Sequence, residues 1–287
     1  KDLLEGKAQR QAARDPVTFA QYYLDFTPDP WQAKFLQSTS PRIILNCSRQ
    51  SGKSTATALL ALWEALYKDR STVVIDSPSE RQSLETMGKV QEFMGQLNGG
   101  HRVDSDTKLS VRFANKSRII ALPGSQRSIR GISAVTLLVL DEASQIPDEL
   151  YKAVRPMLAV SKGRLVLLST PFGEQGFFYD AWAKGGESWE KIEVPWQQCP
   201  RISPEFIEEE RRECGSAYVS QEYECQFIAA GATRIQRAWL KYEDNANLSQ
   251  LSISLGVDLA ISEKETADYT AGAVLGRDRS GNLHVLD

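Results

Sequence analysis

The stretch Cys47-Ser48-Arg49-Gln50-Ser51-Gly52-Lys53-Ser54-Thr55 constrains this chain more than any other. An apolar run, Arg42-Ile43-Ile44-Leu45-Asn46, leads into it, and Ala56 through Tyr67 leaves it with helical character. Strand, glycine-containing loop, Gly-Lys-Ser and helix form the arrangement that wraps a polyphosphate. Its backbone N–H groups and helix N-terminus turn partial positive charge toward the anion. In that scheme Lys53 reaches the β- and γ-phosphates and the Ser54 hydroxyl ligates Mg²⁺. Arg49, Gln50, Ser51, Gly52 and Thr55 complete the candidate cradle. The standard spacing begins with glycine, and here Cys47 stands in its place. The competing reading is a chance Gly-Lys-Ser at a helix start.

About ninety residues later, Thr136-Leu137-Leu138-Val139-Leu140 is an apolar strand that delivers Asp141 and Glu142 at its carboxyl end. Ligands of open α/β sheets sit at that end. The adjacent acids divide the labour, with Asp141 in the Mg²⁺ shell and Glu142 orienting and deprotonating the attacking water. Gly163 to Pro171 is a further buried strand ending in the hydroxyls of Ser169 and Thr170. These either report the γ-phosphate to the next segment or merely cap the strand.

Ser71 to Asp76 reads as a strand buried on both faces, followed by a polar helix from about Glu80 to Leu97. This is a βαβ rhythm, so a parallel sheet is expected. Leu109 to Phe113 and Arg118 to Leu122 read as a hairpin. The stretch from His101 to Gly131 carries seven Lys/Arg against two Asp, in a chain of net charge −3. It is a solvated edge or a phosphate-facing surface. Near the start, Phe19, Tyr22, Tyr23 and Phe26 are spaced to share one helical face. Gln32 follows the break at Pro28-Asp29-Pro30, where its amide either reads adenine or faces solvent.

From about Trp182 the pattern turns mixed. Residues 205 to 213 read as an acidic helix and Ala217 to Phe227 as a second, so a small helical lid is expected over about 196–243. Glu243 to Asn247 reads as a linker. Strands over Leu251–Ala260, Thr270–Leu275 and Leu283–Leu286 then begin a second domain that stops short of an independent core.

No apolar run approaches a membrane span and no signal peptide opens the chain, so no membrane contact is expected. The four cysteines form no Cys-x-x-Cys pair, and with two histidines there is no zinc spacing. They read as reduced thiols of a cytosolic protein.

In combination these residues resemble the large terminase subunit of tailed bacteriophages. Ser48-Arg49-Gln50-Ser51-Gly52-Lys53-Ser54 resembles that family's deviant phosphate loop, in which the first glycine is often replaced. Trp31-Gln32 is similar to its adenine-reading motif, Leu138 to Ala143 to its acidic strand, and Ser169-Thr170-Pro171 to its coupling motif. Ser128-Ile129-Arg130-Gly131 resembles a segment whose arginine acts on a neighbouring subunit's ATP. Arg49 would instead serve its own subunit's nucleotide or act as a sensor. Gly256-Val257-Asp258 and Ala267-Asp268 look like the opening of a ribonuclease-H-like nuclease, with Asp258 and Asp268 toward Mg²⁺ or Mn²⁺ and further acids beyond Asp287.

The resemblance implies an α/β fold, a P-loop NTPase parallel sheet with a helical lid over 1–245, then the nuclease start over 250–287. It implies ATP-driven packaging of double-stranded DNA, coupled in the full protein to endonucleolytic cutting. The implied partners are a portal protein, a small terminase subunit and copies of the chain in a ring, at the procapsid portal in the host cytoplasm. A helicase-like translocase and a nucleotide-dependent scaffold are the alternatives.

Overall fold

The computed structural model describes residues 2–97, 103–123, 132–228, 251–258, 271–278 and 283–286. The chain divides into two compact units, Lys1–Ala232 and Thr233–Asp287. In the first, helices α1 (Asp2–Ala12), α2 (Pro16–Tyr23) and α3 (Pro30–Gln37) precede strand β1 (Arg42–Cys47). Helix α4 (Lys53–Tyr67), β2 (Thr72–Ser77), α5 (Glu80–Gln96), β3 (Val103–Thr107), β4 (Ser110–Phe113) and β5 (Arg118–Pro123) follow. Then come β6 (Leu137–Asp141), α6 (Asp148–Val154), β7 (Arg164–Ser169), α7 (Gly176–Lys184), β8 (Glu190–Val194), α8 (Pro204–Cys214) and α9 (Ser216–Glu222).

The eight strands form one sheet in the order β3-β4-β5-β2-β6-β7-β1-β8. The six from β5 to β8 run parallel, and the β3-β4-β5 meander is antiparallel. Strand alternation sorts the apolar runs into two cores. Ile43, Leu45, Val73, Ile75, Val139 and Leu168 face α2 to α5, where Phe19, Phe35, Leu59 and Leu62 meet them. Ile44, Val74, Leu138, Leu140 and Leu167 face the other way, onto Leu150, Phe177 and Phe178. Continuous Val/Ile/Leu runs are what two-sided burial requires. The topology has one decisive consequence: β7 lies between β1 and β6, so its carboxyl end separates the phosphate loop from the acidic pair.

The second unit shows a three-stranded antiparallel sheet in the order β11-β10-β9, built from β9 (Ser252–Asp258), β10 (Ala271–Arg277) and β11 (Leu283–Val285). Asp258 ends β9 opposite Ala271.

Several local expectations are corrected. Helix α2 ends at Tyr23, with Leu24 as its cap and Asp25 left-handed at φ 44°. Phe26 therefore leaves the helical face and meets Phe93 edge-on, while Tyr22 is exposed. Strands β3 and β8 are sheet edges that carry charge, Asp104 and Asp106 in β3 and Glu190, Lys191 and Glu193 in β8, a weak pattern that reads as mixed sequence. The second helix expected over Ala217–Phe227 stops at Glu222. The linker over Glu243–Asn247 lies outside the described residues.

Gly163 shows how tightly β6 and β7 are set. A Cβ built there would lie 2.1 Å from the Val135 carbonyl oxygen and 2.9 Å from Thr136. Gly163→Ala is expected to destabilise the chain by about 1–3 kcal/mol through this overpacking. Urea unfolding checks it, and an unchanged midpoint would mean that the β6–β7 approach is looser than drawn.

Candidate active site

The phosphate loop bridges β1 and α4, and its backbone explains its sequence. Gly52 caps α4 at φ 95°, a left-handed conformation that costs glycine nothing. Cys47 is absent from the left-handed positions and is fully buried in the core. The first loop position thus makes no demand that only glycine meets. Burial pushes the Cys47 thiol well up, although the Lys53 charge pulls the other way.

Three distant segments hold the loop from outside. Arg201 grips Asp29 with both terminal nitrogens (3.3 and 2.7 Å) and donates to the Ser51 carbonyl at 2.8 Å. The Gln32 amide is buried: its Oε1 accepts from the Asp29 N–H at 2.9 Å and its Nε2 donates to the Gly52 carbonyl at 3.4 Å. The solvent-facing reading of Gln32 is excluded by that burial. Arg49 donates its backbone N–H to the Glu222 carbonyl at 2.7 Å, and its guanidinium pairs with the Glu222 carboxylate at 2.8 Å. Arg201 and Glu222 carry no local sequence signal, because each acts on residues 150 or more positions away.

Inside the cleft, Lys53 is only 9% exposed and its Nζ lies 3.4 Å from Glu142 Oε1. Burial works against its charge, yet the neighbouring acids, Glu142 foremost, raise its pKa above the ordinary lysine value. Glu142 itself sits at φ 51°, a conformation uncommon outside glycine and held here between two fixed partners. Ser169 Oγ donates to Glu142 Oε2 at 3.1 Å and lies 2.8 Å from Ser144 Oγ. Thr170 is buried beside it in the chain.

Asp141 shares the α5 side of the sheet. It accepts from the Glu142 N–H at 3.1 Å and from Thr86 Oγ1 at 3.3 Å. Burial, reinforced by Glu142, pushes its pKa to about 6, with Lys53 opposing. A cation at this carboxylate would restore its charge. Ser54 and Asp141 offer hard oxygen donors, and Mg²⁺ at nucleotide sites takes one or two carboxylates plus phosphates. Among the described residues no group of three or more His, Cys, Asp or Glu is placed to hold a metal.

The cleft holds about 360 Å³ and is lined by Arg49 to Thr55 and Glu142, with Glu85 and Lys89 of α5 closing one side. These two and Thr86 give no signal in the sequence, since a polar helix face is ordinarily solvent. Arg130 and Asp268 lie outside the described residues.

Asp76, at the carboxyl end of β2, reads in the sequence only as a strand residue. It is fully buried, and neither carboxylate oxygen has a hydrogen-bond partner among the described residues. Burial lifts its pKa to about 7, with the Ser77 amide opposing. The unfolded value is about 3.9, so the folded state binds the extra proton between about pH 4 and 7 and stability falls as pH rises through that window. Asp76→Asn is expected to flatten that slope and stabilise the chain at about pH 8 by on the order of 1–3 kcal/mol. Unfolding midpoints from about pH 5 to 8 check this; an unchanged slope would place the Asp76 pKa near its unfolded value.

The comparisons with known proteins agree with this geometry. The family "Terminase large subunit, T4likevirus-type, N-terminal" matches residues 44–242. The large terminase subunits of Thermus phage G20c and Thermus virus P23-45 are each 27% identical over 202 residues. The match covers 64% of this chain and 41% of each relative, so the chain spans less than half their length. The large terminase ATPase domain of Thermus phage P74-26 superposes with a TM-score of 0.67, at 23% identity over 75% of this chain and 99% of that one. The large terminase of bacteriophage HK97 gives 0.63, at 15% identity over 96% and 67%. The ADP complex of a large terminase from a thermophilic bacteriophage gives 0.61, at 13% identity over 90% and 68%. The phosphate loop, the acidic strand and the strands between them all fall within the matched residues, and the chain belongs to the large terminase subunit family.

Proposed function

We propose that this chain hydrolyses ATP to drive double-stranded DNA into a viral capsid. The observation that carries the reading is the Lys53–Glu142 pair, 3.4 Å apart in a cleft with Ser169 on the glutamate's far side. Phosphoryl transfer asks little covalent chemistry of a protein; it needs positioning and charge compensation. Lys53, held cationic, takes the β- and γ-phosphates, and the loop amides of Gln50 to Thr55 cradle them. Glu142 leaves Lys53 when the phosphates arrive, orients the water and accepts its proton. Ser169 registers that change through its hydrogen bond and passes it to Thr170 and the segment beyond. Ser54 and Asp141 would hold Mg²⁺, which would supply charge neutralisation to the phosphates. Gln32 meets the adenine once nucleotide draws its amide from Gly52, and Arg49 reads the nucleotide after parting from Glu222.

In the same proposal residues 1–245 are the ATPase domain, with 196–243 as its lid, and 250–287 open a nuclease domain. Asp258 and Asp268 would contribute to its Mg²⁺ or Mn²⁺ site, in a longer protein that cuts concatemeric DNA. The chain works in a ring of its own copies on the portal protein, fed by the small terminase subunit, at procapsids in the host cytoplasm. Among the described residues no helix is long and apolar enough to cross a membrane.

Lys53→Ala is expected to abolish hydrolysis. Glu142→Gln should retain nucleotide binding and lose about 10²–10⁴ in turnover, the usual range for a lost general base. Steady-state hydrolysis beside nucleotide titration checks both; parental turnover by Glu142→Gln would remove the base assignment.

Arg130 is proposed to complete a neighbouring subunit's site, where such an arginine is worth about 10³–10⁵ in rate. Subunits carrying Arg130→Ala and subunits carrying Glu142→Gln should each be inactive alone and regain hydrolysis when mixed in one assembly. No recovery in assemblies shown to be mixed, or full activity of Arg130→Ala alone, would overturn the trans role.

A further inference from the structure

Parallel strands have two ends, and the nucleotide cleft uses only one. At the amino end, Arg42 opens β1 and Arg164 opens β7, and the turn between α6 and β7 carries Arg155 and Lys162. Arg42, Arg155 and Lys162 line a separate cleft of about 320 Å³, walled by Pro41, Gly163 and Leu165. The length of β1 puts this cleft roughly 15–20 Å from the phosphate loop at about 3.3 Å per residue.

Two features set the cleft apart from an ordinary solvated edge. First, none of its three cations is in an ion pair among the described residues. In a chain of net charge −3, three unpaired cations converging on one concavity are a local excess. Second, Arg155 and the turn that carries Lys162 are held in place. The Arg155 guanidinium lies 5.6 Å from the centre of the Tyr151 ring, which stacks on Phe177 at 4.1 Å and 5°. A guanidinium on an aromatic face keeps its donor fork free for an anion. The Lys162 backbone is left-handed at φ 52°. The turn around it is pinned by Ser161, whose hydroxyl donates to the Val135 carbonyl and accepts from the Gly163 N–H.

We propose that Arg42, Arg155 and Lys162 form a phosphate-binding pocket that grips the backbone of duplex DNA. This rests on the packaging function proposed above and adds the surface that meets the cargo. A duplex presents a continuous row of phosphates, and backbone contacts position DNA without reading its sequence, as a packaging motor requires. An acidic protein face is the weaker fit, because protein interfaces rely on large buried anchors. Among the described residues, Val160 is the one exposed large apolar side chain on this turn.

The test is binding of the 287-residue chain to a fluorescent duplex of arbitrary sequence across a salt series, with basal ATP hydrolysis measured in parallel. The variants are Lys162→Glu alone and the triple Arg42→Gln, Arg155→Gln, Lys162→Gln. The triple variant should bind at least about tenfold more weakly near 0.1 M salt, and its plot of log affinity against log salt should be shallower by about 2–3, at roughly 0.9 for each phosphate it no longer neutralises. Lys162→Glu, an exposed change that leaves the core alone, should move the same way by a smaller amount. Hydrolysis should stay at the parental rate in both. Unchanged affinity and slope in both variants, with DNA binding by the parent intact, would overturn the pocket and leave the packaging function standing. A parent that hydrolyses ATP yet binds no duplex at low salt would overturn both. Competition by polyglutamate equal to duplex, charge for charge, would assign the pocket to an acidic protein and overturn it. Loss of duplex binding to millimolar orthophosphate at constant ionic strength would overturn it in favour of a free anion.

Discussion

A buried positive charge governs this site. Lys53 is nine-tenths withdrawn from water, and desolvation alone would push it toward neutrality. Glu142 prevents that by standing 3.4 Å away. Before nucleotide binds, the lysine and the glutamate satisfy each other, which blunts the cost of leaving either charge alone in a poorly hydrated cleft. In the proposed mechanism, exchange of that partner for a phosphate frees the glutamate as the lysine is recruited, so that charge compensation and release of the base become one event.

The proposed exchange requires the loop to keep its shape while its occupant changes. Arg201, Gln32 and Glu222 reach the loop from three other segments, and their partners there are mostly backbone groups. Backbone partners can be held in any side-chain context, which explains how the loop is braced without regard to its side chains. It also explains why Asp29 is doubly gripped: the same carboxylate that starts α3 anchors the arginine clamping Ser51.

Ser169 illustrates how topology turns chemistry into coupling. Its hydroxyl touches Glu142 and the Ser144 hydroxyl together because β7 runs between the strands bearing the loop and the acids. In the proposed mechanism, a rearrangement at Glu142 is therefore felt first by a strand whose exit leads into Thr170 and the following turn. The opposite ends of β1 and β7 open onto the basic cleft. The nucleotide cleft and that basic surface thus share two rigid strands.

The places of Asp141, Glu142 and Ser169 at the ends of buried strands are legible in the chain by itself, because an apolar run that ends abruptly in polar residues announces a buried strand and where it stops. The parallel β-α rhythm and the second antiparallel unit are legible for the same local reason. Phe26, the short α9 and the edge strands β3 and β8 are not: helix ends and charged edges are decided by caps and neighbours rather than by periodicity. Asp76 looks like a strand terminus until burial on both sides of β2 leaves its carboxylate without hydrogen-bond partners among the described residues. The sequence by itself determined which chemical groups exist and at which strand ends they emerge, since those depend on a few adjacent residues. Only the tertiary structure decided that β7 separates β1 from β6, that Glu222 and Arg201 brace a loop 150 or more residues away, and that Arg42, Arg155 and Lys162 converge. Such contacts depend on strand order and helix packing, which no local stretch of chain encodes.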